Sequence, residues 1–171
     1  MVRIIPATVQ HSAALACLAR KTFVDAFAKD NHESDLREYV DQAFNEQTIY
    51  QELADPNAAF YVACEDRELL GYLKLRQGTT PSQLQERNAL ELQRIYVHQH
   101  AIGRGIGAQL TQAALDAARQ RDANVLWLGV WERNPAAIAF YQRWGFVIFG
   151  SHIFYVGQDA QTDLLMQKSL L

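Results

Sequence analysis

Asn134 and Tyr141 stand seven residues apart in the stretch 131–146, WERNPAAIAFYQRWGF. An apolar run, 125–131 (VLWLGVW), leads into it, and Asn134-Pro135 is a helix-opening pair. Seven residues make two helical turns, so both side chains fall on one face. A phenol placed there can protonate a departing thiolate as a general acid. The plainer reading makes Asn134 only a helix cap and Tyr141 a half-buried aromatic, and at this point both stand. Phe140 and Trp144 read as core.

A second cluster, Gly103-Arg104-Gly105-Ile106-Gly107-Ala108, sits where an apolar strand feeds a helix. Closely spaced glycines let backbone N–H groups approach an anion, and the helix N-terminus adds partial positive charge. Arg104 can add a full one, and the combination fits a diphosphate. A tight turn chosen for packing alone is the competing reading. No Gly-Lys-Ser/Thr follows, so it is not a Walker A loop. Gly103, Gly105 and Ala108 do satisfy G-x-G-x-x-A, but a dinucleotide site wants an acid about 20 residues on. The first one at a strand end, Glu132, is 29 residues beyond Gly103. A dinucleotide fold therefore fits poorly.

These residues need a frame. Residues 2–5 read as a first strand. A helix capped by Thr8 runs to about 21, and TFVDAF (22–27) extends or kinks it. Helices follow at 35–44 and 48–53, then a hairpin of strands 59–66 and 68–76. A polar loop covers 77–88. Strand 89–97 leads through the glycines to a helix at 107–121, with Leu110, Ala113, Ala114 and Ala117 inward. The nearly unbroken apolar run 125–131 has the character of a central parallel strand. A helix from Asn134 to about 144, ended by Gly145, precedes strands at 146–150, 153–157 and 163–170. The predicted class is one α/β domain, a mixed sheet with helices on both faces.

Composition narrows the function. Among 171 residues, 19 Asp and Glu outnumber 16 Lys and Arg, for a net charge of −3. A pI near 5.9 argues against a nucleic-acid binder working through a basic surface. Cys17 and Cys64 form no metal or redox spacing, and both read as core thiols of a reducing compartment. The opening MVRIIPAT resembles no signal peptide, and no apolar run reaches membrane-spanning length, so a cytoplasmic protein without membrane partners is expected. The histidines form no H-x-x-x-H or His/Cys cluster, and no metal is called for.

Taken together, the chain resembles the GCN5-related N-acetyltransferases, which move an acetyl group from acetyl-CoA to an amine. The family's Gln/Arg-x-x-Gly-x-Gly/Ala motif aligns on Ile102-Gly103-Arg104-Gly105-Ile106-Gly107, with Ile102 departing from the usual first residue. Within the family, TFVDAF (22–27), ELQRIYV (91–97), residues 127–146, GSHIFYVG (150–157) and QTDLLMQKSL (161–170) are most similar to bacterial spermidine/spermine N-acetyltransferases. The resemblance implies central strands that splay around acetyl-CoA. The diphosphate would lie on Ile102 to Ala108 and the pantetheine arm along Ile95, Tyr96 and Val97. Asn134 would be a cofactor contact, and Tyr141 both a contact and the acid. It implies direct attack by a primary amine in a ternary complex, a polyamine being the expected acceptor. Homodimers are common in the family. Protein or peptide acetylation and non-catalytic acyl-CoA sensing are the rival readings.

Such a reaction needs an uncharged amine. Glu91, opening strand 89–97, is the leading base; a solvated carboxylate or an arginine salt bridge explains it too. Glu132 is second. In plain alternation Glu91, Gln93 and Ile95 share one face, a count that a bulge would break. The resemblance favours such a bulge, freeing one N–H for the thioester oxygen. The acceptor pocket is expected from TFVDAF, the second helix and strand 152–157, with Phe23, Phe27, Tyr39 and His152 as lining. Asp25, Glu33, Asp35 and Glu38 are the carboxylates available to a polyamine.

Overall fold

The computed structural model describes residues 1–171. In chain order it contains β1 (Arg3–Pro6), α1 (Ser12–Phe27), α2 (Glu33–Ala43), α3 (Glu46–Ala54), β2 (Ala58–Glu65), β3 (Glu68–Arg76), β4 (Ala89–Val97), α4 (Ile106–Gln120), β5 (Val125–Trp131), α5 (Pro135–Arg143), β6 (Val147–Val156) and β7 (Asp159–Ser169). The strands form one sheet in the order β1-β2-β3-β4-β5-β7-β6, and only β4 and β5 run parallel. On one face α4 and α5 bury Ile106, Leu110, Ala114 and Tyr141 against Leu73, Leu75, Leu90 and Leu92. On the other, α1, α2 and α3 bury Leu15, Phe23, Val40 and Ile49 against Phe60, Val62 and Tyr72.

One open alternative is decided by the structure, and two details differ from the sequence reading. TFVDAF continues α1 without a kink: no Gly or Pro interrupts it, and Thr22 Oγ1 donates to the Leu18 carbonyl at 2.8 Å. Along that helix positions 15, 16, 18, 19, 22 and 23 face inward, which turns Cys17 out to solvent, so only Cys64 is a buried thiol. The two strands expected at 146–150 and 153–157 are a single β6. It absorbs Gly150-Ser151 by a bulge at Phe149, the register jumping from Ile148↔Met166 to Gly150↔Leu165.

The junction of β4 and β5 positions everything that follows. They pair for three rungs only, Ala89↔Val125, Leu90↔Leu126 and Glu91↔Trp127. Beyond Glu91 they part. The register of β3 against β4 shows why: Leu75 faces Leu92 and Lys74 faces Arg94, so Gln93 is an extra residue. Such a bulge bends a strand and increases its twist. It also shifts the alternation, so that Glu91, Arg94 and Tyr96 now share one face, and Leu92, Ile95 and Val97 the other. The anticipated splay is therefore present.

Candidate active site

A cavity of about 170 Å³ fills the gap between the parted strands. Residues 92–96 of β4 form one wall and Gly129, Val130 and Trp131 of β5 the other. Asn134, Ala137 and Tyr141 close it from the α5 side, while Phe23, Phe27, Tyr39 and Phe154 close it from the opposite face. Phe23 and Phe27 are four apart on α1, their rings tilted with centroids 4.4 Å apart; Tyr39 stacks on Phe23 at 4.6 Å. The i, i+4 spacing aims both phenyl rings at the same spot.

Tyr141 is held firmly. It lies three residues before Trp144, which caps the C-terminus of α5. Gly145 follows in the left-handed region (φ +86°) and donates to the Gln142 carbonyl at 2.9 Å, while Phe146 donates to the Tyr141 carbonyl at 3.0 Å. This is a Schellman ending. Its usual apolar contact is present, with the Phe146 ring 5.7 Å edge-on to Tyr141. Burial pushes the Tyr141 phenol above its ordinary pKa, so it carries its proton throughout the neutral range. At the other end of the helix, Asn134 Oδ1 accepts from the Ala137 amide at 3.1 Å and also lines the cavity. Asn134 is thus both cap and wall.

The glycine loop forms an open cradle. Gly103 (φ +87°) and Gly105 (φ +75°) take left-handed conformations that only glycine adopts freely, and a Cβ on either would meet nothing. The amides of Gly103, Gly105, Ile106, Gly107 and Ala108 have no acceptor within the protein. Phe140 reaches 3.9 Å from where a Cβ on Gly107 would stand, so the two motif-bearing helices meet here. Unpartnered N–H groups in a glycine turn and the first turn of α4, after the strand that borders the gap, suit an anion such as the diphosphate of acetyl-CoA. Ile102 is exposed, and Val97 packs into the α4-side core rather than lining the cavity. Arg104 departs from expectation: Nη2 is 2.6 Å from Glu65, which also takes the N-terminal ammonium at 3.1 Å. The Arg104 hydrogen bond leads in holding the Glu65 carboxyl below its usual range.

Glu91 is corrected. It is buried and lies off the cavity wall. One oxygen accepts from Arg76 Nε and from Thr79 Oγ1 (2.6 Å), and the other lies 3.5 Å from Arg76 Nη2. It is the register partner of Arg76, so the two side chains share a face, and the salt-bridge alternative applies. His152 does not line the cavity, but its Nε2 is 3.5 Å from Oδ2 of Asp163, which does. The acids expected of α1 and α2 stay outside, Asp25 with Lys21 and Asp35 beside the Gln158 amide.

The sequence reading missed Arg94, Gln161 and Asp163. Arg94 holds Glu52 in a two-point bridge (2.6 and 3.0 Å) and stands 5.0 Å over the Phe44 ring. Lys74 joins the same carboxylate at 3.0 Å. Burial opposes ionisation of Glu52, but its two cations outweigh that and keep its pKa low. Gln161 and Asp163 are two apart on β7, and this period-two polar pair at the start of an apolar strand was the available signal. Nowhere do three His, Cys, Asp or Glu side chains gather within reach of one metal ion. No helix is long and apolar enough to cross a membrane.

Parted parallel strands, an amide cradle and a buried phenol across the gap define an acyl-CoA-dependent acyltransferase. The model of the acetyltransferase (GNAT) family matches residues 20–146, and the chain belongs to that family. Its relatives include an uncharacterized N-acetyltransferase in the pepI 3′ region of Lactobacillus delbrueckii subsp. lactis, 36% identical over 99% of this chain and 98% of that one. Among solved structures, the PaiA N-acetyltransferase of Thermoplasma acidophilum, in complex with coenzyme A, superposes with a TM-score of 0.81 at 18% identity, covering 99% of both chains. A ribosomal-protein-alanine N-acetyltransferase from Brucella melitensis gives 0.76 at 24%, covering 98% and 99%. The fold supports acetyl-CoA-dependent transfer to an amine.

Proposed function

We propose that the protein acetylates a primary amine on a small aliphatic cation, a polyamine such as spermidine or spermine being the acceptor class that suits the cavity. The observation that carries this is the character of the wall: aromatic faces together with one carboxylate, Asp163, whose charge no neighbouring lysine or arginine neutralises. Arg94, the cation in that wall, is tied to Glu52. Aromatic faces favour cations, and a carboxylate fixes an ammonium. A second, polar cavity of about 130 Å³ shares Trp131 and Gln161 with the first and carries Asp30, Glu132 and Asp159 against the single cation Arg133, a net negative lining that suits a further ammonium along the same chain. A cavity of about 170 Å³ accommodates an aminoalkyl arm better than a folded protein surface.

Acetyl-CoA, when bound, supplies the acetyl group as a thioester. Beyond Glu91 the β5-facing edge of β4 has no strand partner, and its amides can receive the thioester oxygen and polarise the carbonyl. Tyr141 holds a proton at Oη for the departing sulfur. The aromatic walls exclude water from the reacting carbon. A panel of polyamines, diamines, amino acids and N-terminal peptides, each incubated with acetyl-CoA and read as released thiol, tests the proposal. Polyamines and diamines are expected to lead. Preferential turnover of peptides overturns the acceptor class, and no thiol release with any amine overturns the enzyme reading.

A further inference from the structure

With Glu91 held away from the cavity, the acceptor's proton needs another exit, because an aliphatic ammonium with a pKa near 10 cannot attack a carbonyl. The walls offer one free carboxylate. Asp163, on β7, is 15% exposed and faces the cavity, with Oδ2 3.5 Å from Nε2 of His152 on β6. The two residues are register partners in the sheet, which sets their separation by backbone geometry. On β5, a Cβ at Gly129 would come within 3.2 Å of Asp163 Oδ2 and 3.4 Å of His152 Nε2. Any larger residue at 129 would therefore crowd the pair; glycine there leaves Asp163 Oδ2 at the cavity wall and His152 Nε2 just off it, 3.5 Å from that oxygen. His152 is 43% exposed and thus reaches bulk water. The pair joins a desolvated pocket to solvent.

We propose that Asp163 and His152 together form the binding and deprotonation site for the acceptor ammonium, an inference that rests on the function proposed above. The ammonium docks on Asp163 Oδ2, which places its N–H beside His152 Nε2. Its proton moves to Nε2, the N–H bond electrons remain on the amine nitrogen as the lone pair that attacks, and the imidazolium is held by Asp163 until it passes the proton to water. Imidazole is the side chain suited to such exchange near neutral pH. The groups facing the pair are few. Tyr39 of α2 feels the Asp163 charge, Arg94 of β4 lies in the same cavity wall bound to Glu52, and β5 contributes the uncharged Gly129.

His152→Gln and Asp163→Asn test this, using the best acceptor from the amine panel and calorimetric titration of spermidine and of CoA. For His152→Gln, kcat is expected to fall about 10²-fold near pH 7. The deficit should shrink toward parity as the pH approaches 10, where the amine loses its proton unaided. Asp163→Asn should weaken spermidine binding about tenfold while CoA titrates as in the wild type. Wild-type rates for His152→Gln near pH 7, or a loss equal at every pH, overturn the deprotonation role. Unchanged spermidine binding by Asp163→Asn overturns the docking role. A wild-type protein that binds CoA yet acetylates no amine overturns the underlying function instead, so the two failures are distinguishable.

Discussion

Glu91 lies opposite Trp127 in the last rung that joins β4 to β5. The strands part immediately beyond it, so the ion pair of Glu91 with Arg76 braces the apex of the gap. Removing the charge by Glu91→Gln should lower stability by about 1–3 kcal/mol, since a buried charge-assisted network is broken. Denaturant unfolding measures this. The activity of the folded variant should change by the same factor at every pH. A deficit confined to low pH would restore Glu91 as a base.

Tyr141→Phe deletes one oxygen from a side chain whose position is fixed by the Schellman ending and by Phe146. Turnover should drop about 10²-fold with CoA affinity kept. The pH dependence follows from the raised pKa. Because burial holds the phenol protonated above its ordinary value, the wild type should show no falling limb from Tyr141 below about pH 10. A falling limb below that pH which vanished in Tyr141→Phe would contradict this, and so would unchanged turnover.

Lys74, which does not itself line the cavity, offers a stability test. Burial pushes its pKa from 10.5 down to about 8, Arg94 adds to the shift, and Glu52 opposes it. The folded state then binds fewer protons than the unfolded chain between pH 8 and 10.5. The penalty for burying the Lys74 charge is therefore present in full below pH 8 and is relieved as pH rises through that window, so stability climbs with pH there. Lys74→Met should remove that slope. At neutral pH it should leave stability equal or raise it, because Glu52 keeps Arg94 and the apolar stem is retained. Thermal melts of both proteins across pH 7–10 provide the comparison, and a variant markedly less stable at pH 7 would contradict the argument.

The strands 68–76, 89–97 and 125–131 were legible to the residue, because apolar runs bounded by polar or glycine-containing turns leave little latitude. The caps at Asn134 and Gly145 fixed α5 for the same local reason. Other features depend on partners distant in the chain. Cys17 looked internal because its neighbours are apolar, although helical period turns it outward. The role of Glu91 could not be read without knowing that Gln93 is extra, and a bulge shows only in the pairing with β3. Asp163 was hidden because its importance comes from facing Gly129 and His152, which sit 34 and 11 positions earlier in the chain.

The three-rung seam carries one more consequence. From residue 92 onward β4 keeps an uncovered rim in the interior of its own sheet, where most proteins would place a neighbouring strand. Backbone amides along that rim should exchange with deuterium faster than those turned toward β3. A pantetheine arm laid in the slot would act as a missing strand, so occupancy should be recorded as slowed exchange and a higher melting point before any chemistry occurs.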